Sequence, residues 1–164
     1  MDCWQNSVEG YSGPPQSCQQ YGVVGYGRSQ PHRGRDLGAP AGTPVRAVAN
    51  GWIVAVGLSD TAGTYVIQGV ATPGLEGTVF IAYFHLQSPP QRENGTLLEA
   101  GNAVAVGEQI GLVGCTGRCT GPHLHLQFQD IETLPAAFCQ TYDPRVALPC
   151  SGGAPHLVRG DGCP

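Results

Sequence analysis

Five residues in this chain carry side chains suited to metal and proton chemistry: His32, Asp36, His85, His123 and His125. The densest group is Gly-Pro-His-Leu-His-Leu-Gln-Phe, residues 121–128. There Leu124, Leu126 and Phe128 alternate with His123, His125 and Gln127, the pattern of a strand. Side chains two apart on a strand share a face. The apolar three are expected in a core, and both imidazoles project together from the opposite side. Two histidines side by side on a rigid element suit metal binding joined to proton transfer.

His32 and Asp36 lie four apart in Arg-Ser-Gln-Pro-His-Arg-Gly-Arg-Asp-Leu-Gly-Ala-Pro, residues 28–40. Pro31, Gly34, Gly38 and Pro40 argue against a helix there. A loop running into a short strand is expected, with the glycine letting the chain curl so that both side chains reach one ion. His85 closes the apolar run Thr78–Leu86 just before Ser88-Pro89-Pro90, at a strand end where sites are usually assembled. Strict alternation puts it on one face with Val79, Ile81 and Tyr83. Phe80, Ala82, Phe84 and Leu86 take the other.

Together, His32, Asp36 and one of His123 and His125 make a two-histidine, one-carboxylate set. Zinc takes such ligands, with a fourth position left for water. The spare histidine of the pair would move the proton, and His85 could donate to an oxyanion. Metal-assisted amide hydrolysis is the reaction class this predicts. Alternation and spacing do not say which histidine of the pair binds metal.

The elements that must position these residues are short strands. The chain has 164 residues, 25 of them Gly and 14 Pro, scattered between short apolar runs. That pattern predicts an all-β fold of antiparallel sheets. Asn50-Gly51 is a strong hairpin signal between the apolar segments of 43–57. Residues 64–70 read as a further strand. Residues 102–114 read as strand, turn, strand, and their Ile110, Val113 and Gly114 match Ile53, Val56 and Gly57 at one offset, as a duplicated β unit would. No helical period is sustained over three turns; 130–138 is expected to hold one short turn.

Composition excludes several classes. Net charge is −4 with no basic run, so nucleic acid is not an expected partner. All eight basic residues are arginine, so a biotinyl or lipoyl carrier, which needs a lysine, is excluded. A disulfide-rich carbohydrate-binding module would account for the cysteines but not for the histidines. No apolar run is long enough to span a bilayer. Seven cysteines without a Cys-x-x-Cys pair point to disulfides and an oxidising compartment, secreted or periplasmic. Met1 followed by Asp2 and Cys3 reads as a mature secreted chain carrying a start methionine. Cys115 with Cys119 is expected to pin the loop entering the His-x-His strand and to shape the rim of the site. Cys3 with Cys18 is a candidate pair in the N-terminal extension. Cys139, Cys150 and Cys163 fall in a disulfide-tied tail, where His156 is taken as a surface residue. The expected division is an extension over 1–21, one domain over 22–144, and a tail over 145–164, as a monomer.

His-Arg-Gly-Arg-Asp (32–36), Tyr-Phe-His-Leu (83–86) and Gly-Pro-His-Leu-His-Leu (121–126) resemble, in order and spacing, the three motifs of the lysostaphin-type zinc endopeptidases. The resemblance covers roughly residues 22–130 and extends toward Pro144. It implies one zinc held by His32, Asp36 and His125, with His123 in proton transfer and His85 activating water or stabilising the intermediate. It also implies a duplicated, lysostaphin-like all-β fold and substrates among the peptides of bacterial peptidoglycan, either cross-bridge or stem. A non-catalytic zinc-binding signalling or cell-wall-binding protein of the same fold is the alternative.

Overall fold

The computed structural model describes residues 8, 20–25, 29–71, 78–143, 157–160, 162 and 163. The expected Cys3–Cys18 pair, Cys150 and His156 lie outside these. The described residues form β-strands and one 3-10 turn, Phe138–Gln140, with no α-helix among them. No helix among them is long and apolar enough to cross a membrane.

The strands are β1 (Arg35–Gly38), β2 (Pro44–Arg46), β3 (Gly51–Ser59), β4 (Gly63–Ala71), β5 (Thr78–Leu86), β6 (Ala103–Val104), β7 (Gln109–Leu112), β8 (His123–Gln129) and β9 (Thr141–Tyr142). Seven build one sheet in the order β1-β8-β5-β4-β3-β6, and β9 pairs the C-terminal end of β8. β2 and β7 make a separate two-stranded sheet. Every named pair is antiparallel.

Asn50-Gly51 does not turn a hairpin. β2 leaves it to pair with β7, while β3 pairs with β4 and β6. The two strand-turn-strand units are thus paired crosswise: first strand of each with second strand of the other. Asn50 instead accepts a hydrogen bond from the Val106 amide at 2.8 Å, tying one unit's turn to the other's. Gly51 is needed for space, since a Cβ there would strike the Gly69 carbonyl. Pairing between the units outweighs the local turn preference.

One apolar cluster joins both sheets. It takes Leu37 from β1, Val45 from β2, Ile53 from β3, Ile81 and Tyr83 from β5, Ile110 from β7, and Leu124, Leu126 and Phe128 from β8. Each large side chain fully buried here contributes about 1.5–3 kcal/mol. The Tyr83 hydroxyl is satisfied inside it, donating to Gln68 Oε1 at 2.7 Å and accepting from the Val48 amide at 3.1 Å. The core thereby anchors the central strands β5 and β8 that carry three of the five candidate residues.

Candidate metal centre

β8 is where the site begins. Leu124, Leu126 and Phe128 enter the core, so His123, His125, Gln127 and Gln129 share the other face. That face is not solvent: His125, Gln127 and Gln129 are also buried. Register then fixes the neighbours. Asp36 of β1 pairs with His125 on one side, and Phe84 of β5 pairs with it on the other. The Asp36 carboxylate reaches His125 Nδ1 at 2.8 Å, and the Phe84 ring stacks on the His125 ring with centroids 5.0 Å apart.

His32 arrives on the loop before β1. Its amide donates to the Val23 carbonyl and its carbonyl accepts from the Gly22 amide, so the loop is held on both sides. His32 Nε2 lies 3.1 Å from His125 Nδ1 and 3.2 Å from Asp36 Oδ1. Gly34 sits between the two candidate ligands, but not for a curl that only glycine permits: its φ is not positive. It is there for space. A Cβ at Gly34 would meet the Leu126 carbonyl and lie 2.7 Å from His125 Nε2.

His85 departs from strict alternation. Thr64 pairs with Leu86 and Val66 with Tyr83, so the single residue Tyr65 faces both Phe84 and His85. This is a β-bulge, which adds one residue and re-aims the side chains after it. His85 has φ +63°, rare and strained for a non-glycine residue. In consequence Leu86, not His85, joins Tyr83 in the core. His85 turns instead to the same face as Phe84, its ring centroid 4.7 Å from that of His123 and 6.3 Å from that of His125. The structure therefore brings all five residues together, four of them buried, with His123 the most open to solvent.

The ring nitrogens are sorted by what their outer sides touch. His32 Nδ1 faces the Gln20 carbonyl at 2.9 Å, His85 Nδ1 faces the Thr116 carbonyl at 2.8 Å, and His123 Nδ1 faces the Gly121 carbonyl at 2.7 Å. A carbonyl only accepts, so each of these nitrogens carries the proton. In the neutral form of each ring, Nε2 is then the acceptor. His125 has an acceptor on each side, Gln127 Oε1 at 3.3 Å from Nε2 and Asp36 Oδ1 at 2.8 Å from Nδ1; with a cation among the three residues, Nε2 keeps the proton and Nδ1 becomes the acceptor.

Burial lowers the pKa of His125 against the pull of Asp36. Burial also pushes His85 down to about 4, opposed by the Thr116 carbonyl and aided by His125 and His123. For Asp36, burial acts upward, but hydrogen bonds and charge from His125 and His32 outweigh it and hold the carboxyl below the ordinary range.

The rim is the Cys115–Cys119 disulfide, as the spacing predicts. Cys119 Sγ is 3.7 Å from His123 Nδ1. Thr116, inside the loop, holds His85 through its carbonyl; its hydroxyl donates to the Leu86 carbonyl at 2.7 Å and accepts from the Thr64 amide at 3.0 Å. Sequence reasoning missed Phe84, Thr116 and the glutamines after His125. Only the glutamines left a signal, the unbroken His-x-His-x-Gln-x-Gln alternation.

Comparison with known proteins decides the family. Residues 30–136 match the profile of Peptidase family M23. This chain belongs to family M23. The catalytic domain of the antimicrobial peptidase lysostaphin from Staphylococcus simulans superposes with a TM-score of 0.62 at 29% identity, covering 77% of this chain and 86% of that one. A zinc-containing peptidase from Vibrio cholerae gives a TM-score of 0.55 at 27% identity, over 76% of this chain and 37% of that one. Among curated proteins, the peptidoglycan DD-endopeptidase ShyC of Vibrio cholerae serotype O1 is 36% identical over 102 residues, 62% of this chain and 21% of its own length. The DD-carboxypeptidase/endopeptidase Mpg of Neisseria meningitidis serogroup B is 45% identical over 96 residues, 58% of this chain and 19% of its own length. The chain thus spans about a fifth of the curated relatives it matches.

All five candidate residues fall inside the M23 match. Their donor set fits a cation. The ligand atoms of His32, Asp36 and His125 all lie within 4.8 Å of one another, and all three residues are buried. In the tautomers just assigned, two imidazole lone pairs and a carboxylate oxygen face each other. That arrangement is relieved by a proton or by a metal cation among the three, and N, N, O donors are what zinc accepts.

Proposed function

We propose that this M23 domain is an extracytoplasmic zinc endopeptidase that hydrolyses peptide bonds in bacterial peptidoglycan. His32, Asp36 and His125 hold the zinc, and His123 and His85 carry the proton chemistry. The observation that carries this reading is the pair of acceptor Nε2 atoms, of His85 and His123, beside a three-ligand cluster that fits zinc.

Zinc held there supplies Lewis acidity, which lets water lose a proton near neutral pH. His123 is the residue that takes that proton. Its Nδ1–H is committed to the Gly121 carbonyl, its Nε2 lies 3.8 Å from Asp36 Oδ1, and it is the most open of the five. Once protonated it becomes the acid for the leaving amine, so one ring serves both halves of amide hydrolysis. His85 is neutral near pH 7, with its Nδ1–H on Thr116, so its Nε2 accepts. It orients water rather than donating to an oxyanion, which is the narrower of the two roles the sequence allowed. Phe84 seals the far side of His125 and keeps water off it.

Peptidoglycan is the proposed substrate because ShyC is by name a peptidoglycan DD-endopeptidase, and Mpg is by name a DD-carboxypeptidase/endopeptidase. Secretion to an oxidising compartment, the periplasm or beyond the cell, is supported by the Cys115–Cys119 and Cys139–Cys163 disulfides. The peptidase unit is taken as 22–144, with extensions at 1–21 and 145–164, and acts as a monomer.

The deciding experiment incubates the protein with isolated peptidoglycan and identifies released fragments by mass spectrometry, beside His123→Ala. New amine ends that vanish in the variant establish the peptidase and reveal the bond. Intact peptidoglycan from several cross-bridge types, with zinc bound, would replace this reading by the non-catalytic one.

A further inference from the structure

The face of β8 that carries His125 continues as Gln127 and Gln129, at 2% and 0% exposure. Two buried amides are costly unless their donors and acceptors are met. Here they are met by each other and by two backbone carbonyls. Gln129 Nε2 donates to the Ile131 carbonyl at 2.7 Å and to the Thr133 carbonyl at 3.1 Å. Gln127 Nε2 donates to Gln129 Oε1 at 2.7 Å. Gln127 Oε1 then faces His125 Nε2 at 3.3 Å.

The direction of this ladder is set at its far end. Backbone carbonyls cannot donate, so the Gln129 NH2 must point at them and its oxygen must point back along the strand. That oxygen can only accept, so Gln127 is oriented the same way. The Gln127 oxygen in turn can only accept, so it holds a proton on His125 Nε2. The Asp36 carboxylate, 2.8 Å from Nδ1, also only accepts, so without a cation the two acceptors compete for the ring. With a cation bound, the Gln127 bond keeps the proton on Nε2 and leaves the lone pair on Nδ1, the atom that faces Asp36 and His32. A free neutral imidazole has no such commitment and exchanges between two tautomers.

We propose that Gln127 and Gln129 are positioning residues of the zinc site, which fix His125 in the tautomer that offers Nδ1 to the metal. The inference rests on the reading of His125 as a ligand. It explains why both positions are amides. Gln129 must donate to two carbonyls, which a carboxylate cannot do. Gln127 must donate to one neighbour and accept from the other, which only an amide does at this length without charge. Hydrogen bonds to metal-bound histidines typically change affinity about 10–100-fold when removed.

The test uses the whole chain and two readouts. Zinc affinity is measured by competition with a chromophoric chelator for wild type, Gln127→Met, Gln129→Met and His125→Ala. Imidazole 15N spectra of the zinc-loaded protein report which His125 nitrogen carries the proton. Wild type is expected to show His125 protonated on Nε2. Gln127→Met, which keeps length and burial but has no amide acceptor, is expected to bind zinc about tenfold more weakly. Gln129→Met, which touches no ligand, is expected to weaken zinc in the same direction but less. An Nδ1-protonated His125 in wild type overturns the proposal, whether or not the variants fold. So does a folded Gln127→Met variant with wild-type zinc affinity. If His125→Ala binds zinc as wild type does, the ligand assignment fails instead, and the wild-type spectrum still judges the ladder.

Discussion

His85 Nδ1 donates to the Thr116 carbonyl at 2.8 Å, and that bond decides what His85 can do. With its proton spent on Thr116, the ring presents only a lone pair to the site. A strained φ of +63° puts it there, at a cost of about 1–3 kcal/mol. Loss of the ring is therefore expected to remove an acceptor without relieving the strain, which any residue with a Cβ keeps. His85→Ala should reduce kcat on a peptidoglycan peptide at least about a hundredfold. Its zinc affinity should stay near wild type, since His85 is not among the three clustered ligands. Chelator competition beside turnover separates the two; a variant that loses zinc as well would make His85 a ligand.

Gly34 tests the same centre from the other side. A methyl group there has nowhere to go: the Leu126 carbonyl and the His125 ring already occupy the space. Gly34→Ala must push β1 away from β8, and Asp36 goes with β1. The expected outcome is zinc affinity lowered at least about tenfold and a folded state weakened by about 1–3 kcal/mol. Thermal melts with and without chelator check it. In wild type, chelation should lower Tm because the metal binds only the folded chain; in Gly34→Ala that gap should shrink. An unchanged gap would show that β1 can shift without disturbing the ligands.

Much of this site was legible in the chain, because alternation is a strong local code. Leu124, Leu126 and Phe128 could only face a core, so His123 and His125 had to face away together. The bounds of β5 were legible for the same reason. What was not legible depended on pairing between distant strands. His85 changes face because β5 carries one residue more than β4 opposite Tyr65, and no local pattern announces that extra residue. Asn50-Gly51 carries a hairpin signal, yet β2 and β3 find their partners in β7 and β6, and those ladders outweigh one turn. Gly34 was noticed for its flexibility, whereas the fold uses its smallness. Which of His123 and His125 is the ligand was open to alternation alone; the register that sets Asp36 opposite His125 supports the proposed choice of His125.

The Cys115–Cys119 disulfide closes a short loop, and its removal is expected to cost about 2 kcal/mol. Its larger effect should be on catalysis. The loop carries the Thr116 carbonyl that orients His85, and Cys119 Sγ touches His123 Nδ1. The double variant Cys115→Ser, Cys119→Ser should retain zinc and substrate affinity while kcat falls several-fold or more. Reducing the wild-type protein with a dithiol under native conditions should lower kcat in the same way. Equal kcat with and without the bridge would mean that the Thr116 hydroxyl bonds to Leu86 and Thr64 hold the loop unaided.

The pH dependence of folding follows from the buried rings. His85 has its pKa pushed down to about 4, first by burial, from an ordinary value of 6.5. Between these values the unfolded chain binds a proton that the folded chain refuses. Stability therefore falls as pH drops through that window, and rises as pH climbs back toward 6.5. His125, lowered by burial, acts in the same sense. Asp36 acts lower down: its carboxyl is held below the ordinary 3.8 by His125 and His32 despite burial, so its contribution is present above that value and lost in stronger acid. The zinc-free domain should lose on the order of 1–2 kcal/mol between pH 7 and 4.5, after allowance for solvent screening at His85. Tm measured in chelator across that range should fall, and His85→Ala should flatten the slope. A Tm that stays level from pH 7 to 4.5 would show that these rings take up protons without unfolding, which their burial against Thr116, Phe84 and Asp36 argues against.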